Sequence, residues 1–353
     1  MWKCADYSEK HFDSMVEMIR DNYGDEQSIS HKEYLKHWYF GNPVGSPIIK
    51  FAIDEDNGVM AGQYVISPRK YKVFDDSINC VLSLDTLTRE SYRGQGIFTK
   101  LAKSAFDSAT EAGYKFCYGA PNPNSHPGFI KKLGFCDLFE MPLYVKPLKI
   151  SQILKERGKK VLGTLMVPFN LFFTSKKIVD ANIIEINDSN YQIMDVFWKK
   201  IINKYDIIGV RDAEYIKYRY LNVPTRKYLP YVYLVNNEPV AFIVSRVRYV
   251  AKMKTGMIAD FLFVDGFEKQ AKKLVRFMNR KIKELGAGLA GCIMMTHSSE
   301  TKVLKRARYI KCPDKLLPQP TPLIIRVFDK DLEEKGILDT KNWFFTTGDY
   351  DVV

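Results

Sequence analysis

One short segment constrains this chain more than any other: Tyr92-Arg93-Gly94-Gln95-Gly96-Ile97-Phe98. The apolar run before it, Asn79 to Thr88, reads as a strand. After it, Leu101, Ala105, Phe106 and Ala109 recur on one face of a helix predicted over 98–112, and Gly113 stops that helix. A strand, a loop with two glycines and a helix form an arrangement that can hold a diphosphate. Successive backbone N–H groups make a concave anion site, and the helix N-terminus adds about half a positive charge. Glycine supplies the required φ angles and lets the backbone approach closely. Arg93 adds a charge-assisted donor. A dinucleotide fingerprint would need a third glycine where Thr99 stands. The Gly-Lys-Ser/Thr ending of a P-loop is absent, and a kinase glycine loop lies in a hairpin rather than before a long helix.

The elements around the loop alternate in order. Helices are predicted over 9–22, with Ser8 as N-cap, and over 31–40, stopped by Gly41-Asn42-Pro43. Strands follow at 48–54 and 59–71, joined by the hairpin dipeptide Asn57-Gly58. Beyond the long helix come a strand over 114–120, a Pro/Asn/Ser-rich turn, a short helix ending at Lys132-Leu133-Gly134-Phe135 and a strand near 139–145. A basic connector, 148–181, separates this from a second series. There, helices at 189–204 and 212–221 precede strands at 227–236, 239–249 and 256–264. A helix at 268–285, a strand at 289–296, a helix at 298–307 and a strand at 323–327 complete the order. The order partly repeats, so the spacing predicts a structural duplication whose halves share little sequence.

The 353 residues suffice for two domains, and 46% hydrophobic with 27% charged residues fits a soluble chain with real cores. A net charge of +12 suits an anionic partner. The basic residues are spread along the chain, so a solvated surface is favoured over a nucleic-acid arm, and no nucleic-acid partner is expected. The six cysteines form no C-x-x-C pair and no zinc-spaced cluster, so no metal is expected and a reducing, cytoplasmic compartment is. The N-terminus carries no signal-peptide pattern. The most apolar stretch, Val161 to Phe173, is shorter than the about 18 residues of a membrane span and contains Pro168 and Asn170. It is flanked by Lys159, Lys160, Lys176 and Lys177, which would suit a membrane surface, but packing between domains is the favoured expectation.

The loop at its strand–helix junction, followed by Lys131-Lys132-Leu133-Gly134-Phe135 after a short helix, resembles the GCN5-related N-acetyltransferase (GNAT) superfamily over residues 1–147. The family's loop pattern is Gln/Arg-x-x-Gly-x-Gly/Ala. Ser91 departs from it at the first position, while Gly94 and Gly96 keep it. The resemblance implies an α/β acyl-CoA N-acyltransferase fold, a mixed, mostly antiparallel sheet flanked by helices. Here that fold would be duplicated in tandem: an acetyl-CoA-binding domain at 1–147, the connector at 148–181 and a degenerate second domain at 182–353. It implies acetyl-CoA as co-substrate. The pantetheine would lie between splayed strands against the backbone of Asp85, Thr86, Leu87 and Thr88. The pyrophosphate would lie on Arg93, Gly94, Gln95, Gly96, Ile97 and Phe98. Asn122 and Phe129 complete the expected cofactor contacts.

Catalysis departs from the pattern. Ile130 stands where family members often carry the tyrosine that protonates the departing thiolate, which leaves Ser125 and His126 as the nearest polar substitutes. Asp85, a carboxylate in an otherwise apolar strand, is the candidate base. The backbone N–H of Leu87 is placed to polarise the thioester carbonyl. The second half carries Asp265-Gly266-Phe267-Glu268 where its loop would fall, one glycine with two acids and no phosphate cradle. It is expected to wall the acceptor pocket, to dimerise, or both. The aromatic tail, Trp343 to Asp351, is expected to dock on the body. The expected activity is therefore acetyl transfer to an amine of a small molecule, amino sugar or peptide. The alternatives are an aminoacyl-tRNA-dependent transferase of the cell-wall type, which the basic charge would suit, and a non-catalytic CoA-binding protein.

Overall fold

The computed structural model describes residues 1–173, 180–317 and 319–350; Lys176, Lys177 and Asp351 lie outside the described residues. The chain divides into two compact units, residues 1–140 with 223–226 and 321–342, and residues 141–222 with 227–320 and the tail from 343.

The first unit opens with β1 (Trp2–Asp6), α1 (Phe12–Tyr23) and α2 (Lys32–Phe40). Ser8 begins a 3-10 turn ahead of α1, with its hydroxyl 3.0 Å from His11 Nδ1, so the regular helix starts three residues later than the sequence suggests. Then come β2 (Ile48–Asp54), β3 (Met60–Val73) and β4 (Asp76–Thr88). At the β2–β3 turn Gly58 adopts φ 73°, and Asn57 Oδ1 accepts from the Val59 amide at 2.9 Å. This is the Asn-Gly turn that the sequence indicates. After β4 come α3 (Ile97–Glu111), β5 (Phe116–Gly119), α4 (His126–Leu133) and β6 (Cys136–Glu140). The apolar face of α3, Leu101, Ala102, Ala105, Phe106 and Ala109, is fully buried on the sheet with Tyr64, Ile66 and Val81. The helical spacing that predicted α3 is therefore the spacing that builds the core.

The second unit takes β7 (Leu143–Pro147), α5 (Ile150–Glu156), α6 (Lys160–Leu165), β8 (Ile183–Glu185), α7 (Ile193–Ile201), β9 (Ile207–Gly209) and α8 (Ala213–Tyr220). It continues with β10 (Leu229–Val235), β11 (Glu238–Val250), β12 (Met253–Phe263), α9 (Glu268–Glu284), β13 (Leu289–Ile293), α10 (Ser299–Arg306) and β14 (Ile310–Lys311). The chain then returns to the first unit for β15 (Pro322–Val327) and α11 (Lys330–Glu334), and ends in the second with β16 (Trp343–Phe344).

The sheet orders make the duplication explicit. The first sheet runs β1-β2-β3-β4-β5-β15-β6 and the second β8-β10-β11-β12-β13-β7-β14. Position by position they match, with α3 and α9 as the crossovers to the parallel pairs β4–β5 and β12–β13. In each sheet the sixth strand comes from the other repeat. β15 pairs antiparallel with β5 and β6, and β7 with β13 and β14. A line at residue 147 follows the chain, whereas the sheets place 143–147 in the second unit and 322–327 in the first. Each unit needs the other repeat's strand to close its sheet, which alternation of residue types along one strand cannot reveal.

The aromatic tail docks in the second unit, with Trp343, Phe344 and Phe345 fully buried. A charged network fixes it. Arg211, with no solvent exposure, donates from both terminal nitrogens to Asp349 at 2.7 Å and from Nε to Asp260 at 2.6 Å. Thr346 Oγ1 donates to Asp260 at 3.0 Å, and the Thr346 amide to Asp349 Oδ2 at 3.0 Å. Arg219 adds bonds to the carbonyls of Thr347 and Tyr350 and to Tyr228 Oη. Tyr215 and Arg219 of α8 thus hold the tail from the core. Truncating one partner of a buried pair strands the other charge, so Asp349→Ala is expected to cost about 3–5 kcal/mol. Urea unfolding of the purified chain checks this. A loss below about 1 kcal/mol would mean that the network does not hold the tail.

Candidate active site

The strand pair β4–β5 joins at only two positions, Val81 with Cys117 and Leu82 with Tyr118. Beyond them β4 continues through Ser83 to Thr88 along β3 alone. Two parallel strands thereby open into a V whose β4 edge carries Asp85, Thr86, Leu87 and Thr88, the residues the sequence assigns to the pantetheine.

The loop above the V is shaped for an anion. Gly94 and Gly96 take φ of 80° and 76°, the left-handed region in which glycine is least strained, and Gly96 caps α3 in that conformation. Among the described residues no acceptor lies within hydrogen-bonding reach of the amides of Gly94, Gln95, Gly96, Ile97 or Phe98. Five consecutive donors at a helix N-terminus form an anion nest. A Cβ at Gly94 or Gly96 would meet nothing within 4 Å, so the need for glycine comes from φ and from whatever binds there, not from protein packing. Arg93 is exposed and 3.7 Å from Glu90. Phe98 packs its ring edge-on to Phe129, with centroids 5.3 Å apart, and Gly128 passes so close that a Cβ there would lie 2.8 Å from the Phe98 ring.

The other expected contacts divide. Phe129 is 5% exposed and meets Phe135 as well as Phe98, so its ring supports the loop from the core. Asn122 is exposed. Its Oδ1 accepts from the amides of Asn124 and Ser125 at 3.0 Å, a turn that sets the start of α4. Ser125 Oγ lies 3.3 Å from Asn122 Oδ1. His126, the first residue of α4, holds Asp137 Oδ1 at 2.6 Å from its Nε2. Ile130 packs against the core cluster.

Asp85 sits at a bulge. Pairing of β3 with β4 shifts between Gln63 and Val65, and Asp85 takes φ 45°, unusual for a residue with a Cβ. It is 8% exposed, and Tyr39 of α2 donates to its Oδ2 at 2.5 Å. Gln63 donates from Nε2 to the Asp85 carbonyl at 2.9 Å, which fixes the amide's orientation. Its Oε1 is then buried without a partner among the described residues. Tyr39 and Gln63 were not among the residues the sequence singled out. The signal for Tyr39 lies in a short internal repeat. Tyr34-Leu35-Lys36-His37-Trp38-Tyr39-Phe40-Gly41-Asn42-Pro43 and Tyr215-Ile216-Lys217-Tyr218-Arg219-Tyr220-Leu221-Asn222-Val223-Pro224 share Tyr, Lys, Tyr and Pro at the same four positions.

The repeated tyrosine makes the same bond twice. Tyr220 donates to Asp260 Oδ2 at 3.2 Å, and Asp260 lies beside the β11–β12 bulge as Asp85 lies at that of β3–β4. The electrostatics then diverge. In the second unit Arg211, four residues before Tyr215, clamps Asp260. Four residues before Tyr34 stands Ser30, whose hydroxyl donates to the Gly24 carbonyl at 2.7 Å. The second unit also lacks the nest. The Gly266 amide faces Glu268 Oε1 at 3.4 Å, the Phe267 amide bonds Val264, and Asp265 and Glu268 would repel a phosphate.

This combination of a splayed parallel pair, a bulged strand and an amide nest at a helix start defines an acyl-CoA N-acyltransferase fold, here in tandem. Residues 4–136 match the acetyltransferase (GNAT) domain family. The GNAT match and the fold together support an acyl-CoA-dependent N-acyltransferase enzyme, with the family's domain in the first unit. A search of curated proteins found no match. Among solved structures, a probable N-acyltransferase from Enterococcus faecalis V583 is similar at 12% identity and TM-score 0.63, covering 94% of this chain and 74% of that one. N-myristoyltransferase of Saccharomyces cerevisiae with bound myristoyl-CoA is similar at 12% identity and TM-score 0.64, covering 92% and 82%. A GCN5-related N-acetyltransferase from Anabaena variabilis ATCC 29413 gives 11%, 0.62, 93% and 73%. At these identities the likeness to solved structures is one of fold.

If the first Tyr–Asp pair is functional and the second structural, matched variants separate them. Tyr220→Phe is expected to cost about 1–2 kcal/mol of stability with turnover per folded molecule unchanged. Tyr39→Phe is expected to lower kcat by about tenfold or more. Denaturation and steady-state kinetics on both variants check this, and equal kinetic effects would refute the division.

Proposed function

We propose that the first unit transfers an acetyl group from acetyl-CoA to a primary amine, with Asp85 as base. The observation that carries this reading is the row of five unpartnered amides at Gly94–Phe98 directly above the opening of β4 from β5. A pyrophosphate fits such donors, and a pantetheine arm fits the free edge of β4. This site also favours acyl-CoA over an aminoacyl-tRNA donor, which needs no pyrophosphate nest.

In this reading the amine nitrogen attacks the thioester carbonyl carbon, forming C–N as C–S breaks. The amine proton goes to the Asp85 carboxylate, which Tyr39 positions, and the buried Gln63 Oε1 accepts a hydrogen bond from the same nitrogen. A backbone amide on the free edge of β4 faces the carbonyl oxygen as charge develops there. The departing thiolate takes its proton from the start of α4, where Asp137 orients His126 and Ser125 stands alongside. A short acyl group is favoured because fully buried rings close the interior behind the apex of the V, where Tyr118 pairs with Leu82 and its ring lies 5.5 Å from that of Tyr71. A small amine, an amino sugar or a peptide amine is the acceptor class, and the free cysteines suit the cytoplasm, where acyl-CoA is made and used.

Differential scanning with acetyl-CoA, together with thiol release over an amine panel, tests the proposal. Wild type should be stabilised, by about 2.7 kcal/mol at a hundredfold excess over Kd. Gly94→Glu and Gly96→Glu should abolish the shift. Asp85→Asn should keep the shift and lose about 10²–10⁴-fold in kcat. An intact shift in both glycine variants would remove the loop as the binding site. A shift in wild type without turnover on any amine would make the chain a CoA-binding protein rather than a transferase.

A further inference from the structure

The apolar stretch after residue 160 is not packed away. Val161, Leu162, Leu165, Val167 and Phe169 are 77%, 45%, 67%, 47% and 48% exposed, a third of the exposed large hydrophobic residues among the described residues, within nine positions. The expectation that this stretch packs between domains does not hold for these side chains.

Its outward face is built in. On α6, Val161, Leu162 and Leu165 share one side, and Gly163 lies on the other. Gly163 is buried against α5 so closely that a Cβ would lie 2.6 Å from Lys155 Cγ and 2.7 Å from the Ser151 carbonyl. The glycine is therefore the packing face, and the apolar side is turned to solvent. The far end is tied back as well. Asn170 Nδ2 donates to Ser151 Oγ at 2.7 Å, and the Ser151 amide donates to Asn170 Oδ1 at 3.2 Å. A soluble helix normally packs its apolar side inward, and this one is fixed the other way round.

The surroundings are cationic. Lys155, Arg157, Lys159 and Lys160, at the end of α5 and on the turn into α6, are exposed. The acid among them, Glu156, is engaged by Gln152 Nε2 at 2.8 Å and by the Lys254 amide at 3.2 Å. We propose that residues 155–169 form a docking surface for an anionic lipid bilayer, with Val161, Leu162, Leu165, Val167 and Phe169 entering the acyl boundary and the four cations meeting lipid headgroups. Among the described residues no helix is long and apolar enough to cross a membrane, so the contact is peripheral. Charge complementarity selects this occupant over a second copy of the chain, because apposing two such surfaces would bring eight like charges together, and over neutral lipid, which would leave the cations without partners.

Vesicle sedimentation of the full chain tests this, using phosphatidylcholine alone and phosphatidylcholine mixed with phosphatidylglycerol. Wild type should bind the mixed vesicles, bind the neutral ones weakly, and release at high salt. Lys159→Glu with Lys160→Glu should weaken binding by about tenfold or more, since each cation contributes about fivefold. Leu162→Ser with Leu165→Ser and Phe169→Ser should abolish it. All these side chains are exposed, so the variants should fold, with unchanged melting and unchanged stabilisation by acetyl-CoA. No binding of wild type to the mixed vesicles would overturn the proposal. So would equal binding by the variants, or a wild-type dimer in sedimentation velocity that the serine variant dissolves. The vesicle result does not depend on the proposed transfer activity.

Discussion

Two paired positions hold the whole site open. Had β4 and β5 stayed in register past Leu82 and Tyr118, the backbone of residues 84–88 would bond to its neighbour and present no edge to a ligand. The divergence has identifiable supports. The bulge opposite Gln63–Val65 turns β4 locally, and Asp85 holds a positive φ there. On its far side β5 pairs with β15, from Ile324 with Gly119 to Val327 with Phe116, so its direction is set by a strand from the other end of the sequence. The opening is thus a consequence of exchanged strands as much as of local sequence.

The duplication shows how one scaffold yields two kinds of buried carboxylate. Asp85 and Asp260 each stand near a bulge and each take a tyrosine hydroxyl from the second helix of their repeat. Arg211 converts the second into a structural ion pair that also clamps the tail through Asp349. A carboxylate bound to a guanidinium on one side and hydroxyls on others has little capacity to accept a substrate proton. Ser30 takes the corresponding place in the first repeat, and in the proposed reading Asp85 is the carboxylate that takes the substrate proton. The loss of the nest in the second repeat accompanies the change: where Glu268 and Asp265 meet a helix start, no phosphate gains from binding.

Much of this was legible in the sequence. The spacing of Leu101, Ala105, Phe106 and Ala109 located α3, the Asn57-Gly58 turn located a hairpin, and Gly94 and Gly96 located the nest, because each is a local rule expressed by neighbouring residues. The exchange of β7 and β15 was not legible, since strand pattern encodes which face is buried and not which sheet is joined. Tyr39 was missed although its signal is local, a ten-residue repeat with Tyr215–Pro224 that appears only when the halves are aligned at α2 and α8. Gln63 gave no signal; it matters because of the bulge opposite it. The segment from Val161 to Phe169 was misread because apolar composition predicts burial on average, while the direction of a short helix is decided by the residue that packs, here Gly163.

In the proposed reading, proton delivery would follow from how the core is filled at α4. Phe98, Phe129 and Phe135 form an edge-to-face set around that helix, and Ile130 adds to the same cluster. An aliphatic side chain at 130 strengthens the support under the nucleotide loop and removes any hydroxyl from that position. The polar groups stand one turn earlier, at Ser125 and His126, both partly exposed at the start of α4. A donor there can exchange its proton with water between turnovers without opening the core. In the proposed reading such a site would gain easy reprotonation and lose the tight placement of a buried phenol, and the chemistry at this end would depend on how firmly Asp137 holds the imidazole.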